Sequence, residues 1–570
     1  MSWDDKERND LMYRRLRHVT EQAGFGEPLL ERRPELFRLL EWSALADPSL
    51  FYGMFLHHCT SMGAILDLGR DRDDLSDLVT AMTSMSTVGS LMMTEIGRGN
   101  SNSAVRTEAV FDPDTGDFVL NTPDMGAVKF PPGVAADAVP RLAVVSAQLK
   151  IAGQSRGLFF FLVPIRDEAG PRPGVRITPQ RPTPLLPLDA ALVSFDRVRL
   201  PFRYWLRDGA TIAADGTLHD PITDPLTRTR RLLGVIRFAW EAAIVGLAAV
   251  SQASAAVALQ HAHRRITNGR FAADLPVIRY RNQQRALLGA LADAVVSGAV
   301  AKASVPARPA VPTAGGIRSL SLMKVSVDRL TERVTMRCRV ASGALGFFAD
   351  NRFLDYQGLS HSFNTAAADN QIMLLDAALG LSANVDYTPP QAVVPPAVER
   401  DLTAPRTWQG LAATRERLLH AELCDRMGRA KEAGADPFHA WNDASGAAER
   451  LATAHAHTTV VGLLAAALDA VTDPQARTVL TRLCALHVLE ETAAHDGWYL
   501  AQGLLTADEV RGLPDLVDQL CDHVLPHALD LVEALDVPYE VVAAPLAAED
   551  YVEAIVQGKA RYPQARPDGV

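Results

Sequence analysis

Residues 89–133 read GSLMMTEIGRGNSNSAVRTEAVFDPDTGDFVLNTPDMGAVKFPPG, and in them the chain changes its period. Before this stretch, Leu36, Leu39, Leu40 and Leu45, then Leu75, Leu78 and Met82, recur at helical spacing. From it onward, to about residue 202, short β-rich runs take over: FVLN (118–121), RLAVVSAQL (141–149), GLFFFLVPI (157–165), GVRITP (174–179) and ALVSFDRVRL (191–200). Turn formers such as Asp112-Pro113-Asp114 and Gly170-Pro171 separate the runs, which predicts a small antiparallel barrel or sandwich.

Helical periodicity returns at Pro225. It covers roughly 228–265, 277–304, 316–343, 369–381, 408–433, 436–471, 474–502 and 507–536. Val305–Gly316 reads as a Pro/Ala loop, and Asp386–Pro405, with five prolines, as a linker. The expected organisation is a helical domain (1–90), a β domain (91–205), a helical bundle (206–385), the linker (386–405) and a second bundle (406–570). A β module set between helices is not a dinucleotide-binding doubly wound sheet, and no strand-linked GxGxxG or phosphate loop occurs.

The 570 residues are 48% apolar and 22% charged, which excludes a disordered or fibrous chain. A net charge of −10 leaves no basic field to attract nucleic acid. The five cysteines are scattered without paired spacing, as expected of reduced intracellular thiols. The N-terminus lacks the apolar core of a signal peptide, and Phe238–Leu259, long enough to span a bilayer, carries Glu241, Ser251, Gln252 and Ser254. A buried helix, no membrane partner and a cytoplasmic location are expected. Only seven of the 57 basic residues are Lys, a bias that looks like a GC-rich bacterial genome.

The Thr-Glu-x-Gly-x-Gly turn at Thr94–Gly99, Phe111-Asp112-Pro113, Leu120-Asn121-Thr122-Pro123 and the Lys129–Gly133 segment together resemble the acyl-CoA oxidase branch of the acyl-CoA dehydrogenase superfamily. PFHAWND (437–443), AHAHTTVVGLL (454–464) and YLAQGLLTADEV (499–510) look like that family's extra C-terminal helical domain. The resemblance implies a mainly α fold with an inserted β domain and two C-terminal helical bundles, normally a homodimer that binds FAD. It implies α,β-dehydrogenation of an acyl thioester: a carboxylate takes the α-proton, a hydride passes to flavin, and oxygen reoxidises the flavin to give peroxide. The weakly acidic α-proton requires a base within reach and donors on the thioester oxygen.

Carried over residue by residue, Thr94 and Gly133 fall on positions that hydrogen-bond the flavin edge, and Lys129 also matches. Gly343 and Gly346 match a glycine turn near the other subunit's FAD, and Asn370 is placed on the cofactor side. The family's diphosphate cation is missing at Asn268, so Arg281 or Arg265 is the candidate replacement, with Arg281 as a solvated helix residue the competing reading.

The departure that matters most is at the base. The family's Thr-Phe-Glu-Gly-Glu-Asn reads Thr365-Ala366-Ala367-Ala368-Asp369-Asn370 here, so its catalytic Glu falls on Ala367. Two weak substitutes remain. Asp369 lies two residues on, turned by roughly 200° if helical. Glu241 lies on the long apolar helix and is expected to be structural. The run Gln180–Pro184, which replaces a family loop near the substrate, argues for an altered ligand.

His487, Glu491 and His495 recur every four residues, one longer than the Glu-x-x-His pairs of a bundle metal site, so no metal is expected. His455 and His457 read as packing or surface residues, and His361, Asp350 and Asp443 as loop or cap positions. The expected function is FAD-dependent oxidation of an acyl thioester or related small substrate by altered chemistry. The alternative is a non-catalytic or flavin-free scaffold that keeps the fold.

Overall fold

The computed structural model describes residues 3–562 apart from 71, 132, 138, 182, 183, 214, 306–312 and 392. The expected loop at Val305–Gly316 and the altered run Gln180–Pro184 therefore lie partly outside the described residues. Two compact units, Met1–Ala243 and Ile244–Val570, make up the chain.

The first unit opens with α1 (Trp3–Ala23), α2 (Arg33–Ala46) and α3 (Pro48–Met54), passes through a π-helical stretch at Phe55–Ser61, and continues into α4 (Met62–Leu68) and α5 (Ser76–Thr83). Asp47 caps α3, its carboxylate accepting from Ser49 N, and Pro48 stands at the first turn, where no N–H is needed. The strands follow: β1 (Val88–Met92), β2 (Glu108–Phe111), β3 (Phe118–Asn121), β4 (Arg141–Ile151), β5 (Gln154–Asp167), β6 (Gly170–Pro171), β7 (Val175–Pro179), β8 (Ala191–Phe195), β9 (Val198–Leu200) and β10 (Trp205–Leu206).

The eight-stranded sheet runs β10-β5-β4-β2-β3-β9, with β1 on β4 and β6 on β5; β7 and β8 form a separate ladder. The sheet is mixed, which corrects the antiparallel expectation: β1 and β2 both run parallel to β4, pairing Ser90 with Ala143 and Val110 with Lys150. The mainly α architecture with an inserted β domain stands.

Strand β5 explains why its run is apolar without alternation. Phe159, Phe161, Val163 and Ile165 enter one core with Val193 and Phe195 of β8, while Leu158, Phe160 and Leu162 enter a second with Met62, Ile65 and Leu68 of α4. Successive side chains point to opposite faces, and both faces are covered. Each of these large side chains gains about 1.5–3 kcal/mol on leaving water.

Helices α6 (Pro225–Leu233) and α7 (Arg237–Arg264) follow, the division between units falling within α7. The apolar window that could by length cross a membrane is 94% buried inside the protein, so it is a core helix. The second unit continues with α8 (Arg281–Ser304), α9 (Ala314–Ala341), α10 (Phe353–Phe363), α11 (Asn370–Ser382), α12 (Pro405–Glu432), α13 (Pro437–Asp469), α14 (Pro474–Ala493), α15 (Asp496–Ala501) and α16 (Ala507–Val524). The long helix expected over 474–502 breaks at Ala494-His495. The one expected over 507–536 ends at Val524, where Pro526 lacks the N–H a continuing α-helix uses. The Pro-rich segment is tied down: Arg400 bonds Glu509 (3.0 Å) and the Leu504 carbonyl (2.6 Å), and a Cβ on Gly410 would stand 2.8 Å from the Val393 carbonyl oxygen.

Candidate active site

In the first unit, three short segments lie side by side. Phe130 N donates to the Thr94 carbonyl (3.0 Å), Ile96 N to the Val128 carbonyl (2.9 Å), and Lys129 and Val193 exchange backbone bonds at 2.9 and 3.0 Å. The next side chain, Glu95, is buried and turns inward. Its carboxylate accepts from Arg106 N (2.9 Å), Thr107 N (2.8 Å), Thr107 Oγ1 (2.7 Å) and Lys129 Nζ (3.3 Å). Lys129 Nζ also donates to the Met93 carbonyl (3.2 Å) and Ser146 Oγ (3.1 Å). Burial pushes the Lys129 ammonium down to about 8 against the pull of Glu95. Burial raises Glu95, but Lys129 and the Thr107 and Arg106 amides outweigh it, so the carboxylate ends below its usual range. This buried pair pins the 95–107 turn and leaves Thr94 half-buried, its hydroxyl 3.3 Å from Asn102 Oδ1.

Gly133 follows on the same segment, bridged to Ala190. A Cβ there would stand 2.8 Å from Leu56 Cδ1 in the π-helical stretch, so a larger residue would have to displace the tip of that side chain. Asp189 locks the neighbourhood. It accepts from Ala136 N (2.5 Å), Tyr13 Oη (2.8 Å), Arg141 Nη2 (3.0 Å) and Asn9 Nδ2 (3.4 Å), while Tyr13 also reaches the Gly133 carbonyl at 3.4 Å. Burial raises the Asp189 carboxyl, only partly offset by Arg141.

Glu241 is held elsewhere in this unit. Its Oε2 lies 2.9 Å from Arg33 Nη2, and both side chains are buried. Burial lifts its proton affinity and Arg33 opposes the rise. It is half of a buried ion pair in this unit.

The loop between α10 and α11 in the second unit carries Ala367, where the resemblance put the base position. Ala367 and Ala368 have φ of +56° and +80°, the left-handed region that costs an L-residue roughly 1–2 kcal/mol each. Asp369 points to the helix behind it: its Oδ1 accepts from Gln371 N (2.9 Å) and caps α11. Asn370 closes the loop, its amide donating to the Asn364 carbonyl (2.9 Å). Its side chain accepts from Lys324 Nζ (2.7 Å) and donates to Asp328 Oδ2 (2.7 Å) and Asn364 Oδ1 (3.1 Å). Lys324 Nζ further binds the Phe363 carbonyl and the Ala368 carbonyl (3.3 Å). Asn370 is thus a bracket for the loop. Burial pushes the Lys324 ammonium down and the Asp328 carboxyl up, each only partly held back by the other's charge.

Of the two candidate cations, Arg281 is engaged: it binds Asp522 Oδ1 (2.7 Å) and the Asp518 carbonyl (3.1 Å). Arg265 lies against Gly343, where a Cβ would stand 2.9 Å from Arg265 Nη1, and it pairs with no carboxylate among the described residues. Gly343 itself has φ +67°. Gly346 is required by packing, since a Cβ would stand 2.3 Å from the Arg339 carbonyl oxygen. The structure thus joins Thr94 and Gly133 through one segment and Arg265 to Gly343, and it sets Arg281 and Glu241 in separate ion pairs.

Three residues were absent from the sequence-based site: Glu95, Lys324 and Asp328. Glu95 sits inside the motif quoted for Thr94. Lys324, Asp328 and Glu332 are four residues apart on α9, and charges so spaced among apolar neighbours are the signal that could have found them. Among the spaced residues of α14, His487 binds Asp293 (2.8 Å) and Glu491 binds Arg333 (2.7 Å).

Comparison with known proteins matches the acyl-CoA oxidase family model to residues 409–550. The chain is 24% identical to an acyl-coenzyme A oxidase-like protein of Mus musculus over 85% of this chain and 81% of the relative. It is 25% identical to peroxisomal acyl-coenzyme A oxidase 1 of Phascolarctos cinereus over 89% and 79%. Among solved structures, acyl-CoA oxidase 1 of Yarrowia lipolytica superposes with a TM-score of 0.85 at 19% identity, covering 99% of this chain and 87% of that one. Acyl-CoA oxidase-1 of Caenorhabditis elegans, solved with FAD and ATP, gives 0.82 at 19% identity over 96% and 84%. The C-terminal family model, the relatives along most of the chain and the fold agree in making this chain similar to acyl-CoA oxidases.

Proposed function

We propose that this protein is an FAD-dependent oxidase of an acyl thioester or a related small substrate, working without the family's glutamate. The observation that carries the reading is the loop at 364–370. A methyl group stands at Ala367, Asp369 is spent on capping α11, and Glu241 is spent on Arg33. Thr94 beside the Lys129–Gly133 segment supports a flavin edge, and Arg265 against Gly343 offers a cation for an anionic diphosphate in preference to Arg281. FAD, when bound, would supply the hydride acceptor. The chain's own task is to bind and orient the substrate, since Ala367 can neither take nor hold a proton.

Loss of a positioned base costs roughly 10²–10⁴-fold. Saturated fatty acyl-CoA is therefore a poor substrate, and a compound with a more acidic C–H, or one oxidised at a heteroatom, is a better one. We place the protein in the cytoplasm as a homodimer. The test is direct: purified protein is expected to show the oxidised-flavin band, which an acidic-C–H acyl thioester bleaches anaerobically. Colourless protein that rejects added FAD overturns the reading in favour of a scaffold.

A further inference from the structure

We propose that Asp328 is a positioning residue for the 363–370 loop, acting through Asn370, and that the firmness of the loop follows the charge on Asp328. The proposal rests on the oxidase reading only for its consequence in activity; its structural part stands separately.

Two carboxylates of α9 hold the loop: Asp328 through Asn370, and Glu332 through Asn364 Nδ2, which donates to its Oε1 at 2.6 Å. Asp328 is fully buried, with Oδ2 bound by Asn370 Nδ2 at 2.7 Å and Oδ1 without a partner among the described residues. Asn370 is the only bridge shown from Asp328 to the loop, and its other side-chain atom is held by Lys324. Lys324 in turn binds the carbonyls of Phe363 and Ala368, at the two ends of the left-handed turn. An ionised Asp328 accepts a charge-assisted bond, roughly twice as strong as a neutral one. A protonated Asp328 still accepts at Oδ2 and carries its proton on the unpartnered Oδ1, but holds Asn370 more weakly.

The charged groups around it are few. Lys324 and Glu332 flank it on α9, and His361 of α10 acts on it while bonding Glu332 at 2.5 Å. Asp369 acts on Lys324. From α8, Asp293 is taken by Arg333 and His487; from α13, Glu449 pairs with Arg329; from α11, Asp376 acts on Arg318; from α7 comes the Leu247 carbonyl, bound by Thr331. Burial raises the Asp328 carboxyl and lowers the Lys324 ammonium, each opposed by the other's charge, so the two titrate as a pair.

The experiment is amide hydrogen exchange of the full-length protein at peptides covering 363–371, expressed as protection relative to the unfolded chain, between about pH 5.5 and about pH 8.5. Wild type is expected to gain protection about fivefold as pH rises. Asp328→Asn, a neutral mimic that keeps the acceptor, is expected to hold the low-pH protection throughout. Asn370→Ala, which removes the bridge and leaves Asp328 in place, is expected to lose the pH step as well and covers the case of a poorly folding Asp328→Asn. If Asp328→Asn keeps the wild-type step, or if His361→Gln alone abolishes it, the assignment to Asp328 is overturned. In parallel, the pH profile of flavin reduction is expected to lose its rising limb in Asp328→Asn with KM little changed. Absence of flavin reduction in wild type at every pH defeats the oxidase reading, while the exchange data still decide the role of Asp328.

Discussion

A methyl group at Ala367 and a carboxylate at Asp369 differ in what each can do, and the structure separates them. Asp369 is an N-cap, so Asp369→Ala is expected to lower stability by about 1 kcal/mol through α11 and to leave the rate of flavin reduction within a factor of two or so. A loss of activity by orders of magnitude at unchanged fold would make Asp369 the base after all. Lys129 and Glu95 make a different kind of pair. Removing one partner of a buried ion pair leaves the other uncompensated, at about 3–5 kcal/mol. Lys129→Met is therefore expected to raise amide exchange at Arg106 and Thr107, whose N–H groups Glu95 holds, well before the rest of the first unit opens. Neither role was legible from the residue alone: Lys129 was visible as a motif match, but which carboxylate it faced depended on a turn that returns the chain from Glu95 to Thr107.

At the scale of elements, strand runs with strong apolar content were legible and short ones were not. FVLN and the two long runs became β3, β4 and β5, because covering both faces of a strand leaves a continuous apolar signature. Strands β1 and β2 were missed as strands. β1 pairs in parallel with β4, which lies far along the chain, so no hairpin turn announces it; β2 forms a hairpin with β3 across the Asp112–Asp117 turn, but at four residues its run is too short to stand out. On α9 the reverse happened: the helix was legible, and its buried Lys324–Asp328 step was hidden in an otherwise ordinary amphipathic pattern. Gly133 offers a test at this scale. Gly133→Ala is expected to push against Leu56 and the π-helical stretch, costing about 1–3 kcal/mol of overpacking; Leu56→Ala in the same chain is expected to recover part of it, read as the denaturation midpoint of the first unit.

Across the whole molecule, ionic joints govern acid stability. Asp293 of α8, Arg333 of α9 and His487 and Glu491 of α14 form one network, with Arg333 to Asp293 at 2.7 and 2.9 Å. Burial pushes the His457 imidazole down to about 4. Burial raises Glu491, but His487, Arg333 and His457 outweigh it and hold it at about 2. Both groups are depressed in the folded state, so each contributes stability that is present above its unfolded value and lost as pH falls through its folded one. For His457 that window is about 6.5 down to 4, and for Glu491 about 4.3 down to 2, at no more than about 1.4 kcal/mol per pH unit per proton. Denaturant midpoints against pH are expected to fall through both windows in wild type, with His457→Gln flattening the upper and Glu491→Gln the lower. The order of helices and strands was readable from periodicity, whereas this network was not: His487 and Glu491 look like a possible ligand pair in sequence, and only the packing of α8 and α9 beside α14 identifies their partners.

The central claim concerns proton abstraction, and anaerobic flavin reduction by a saturated acyl-CoA measures it without interference from reoxidation. Wild type and Ala367→Glu, both loaded with FAD, are mixed with the same thioester and the bleaching of the flavin band is timed. The expected result is slow bleaching in wild type and an acceleration of about 10²–10⁴-fold in Ala367→Glu. Rapid bleaching by wild type that the added glutamate leaves unchanged contradicts the account and points to a base supplied from elsewhere in the protein.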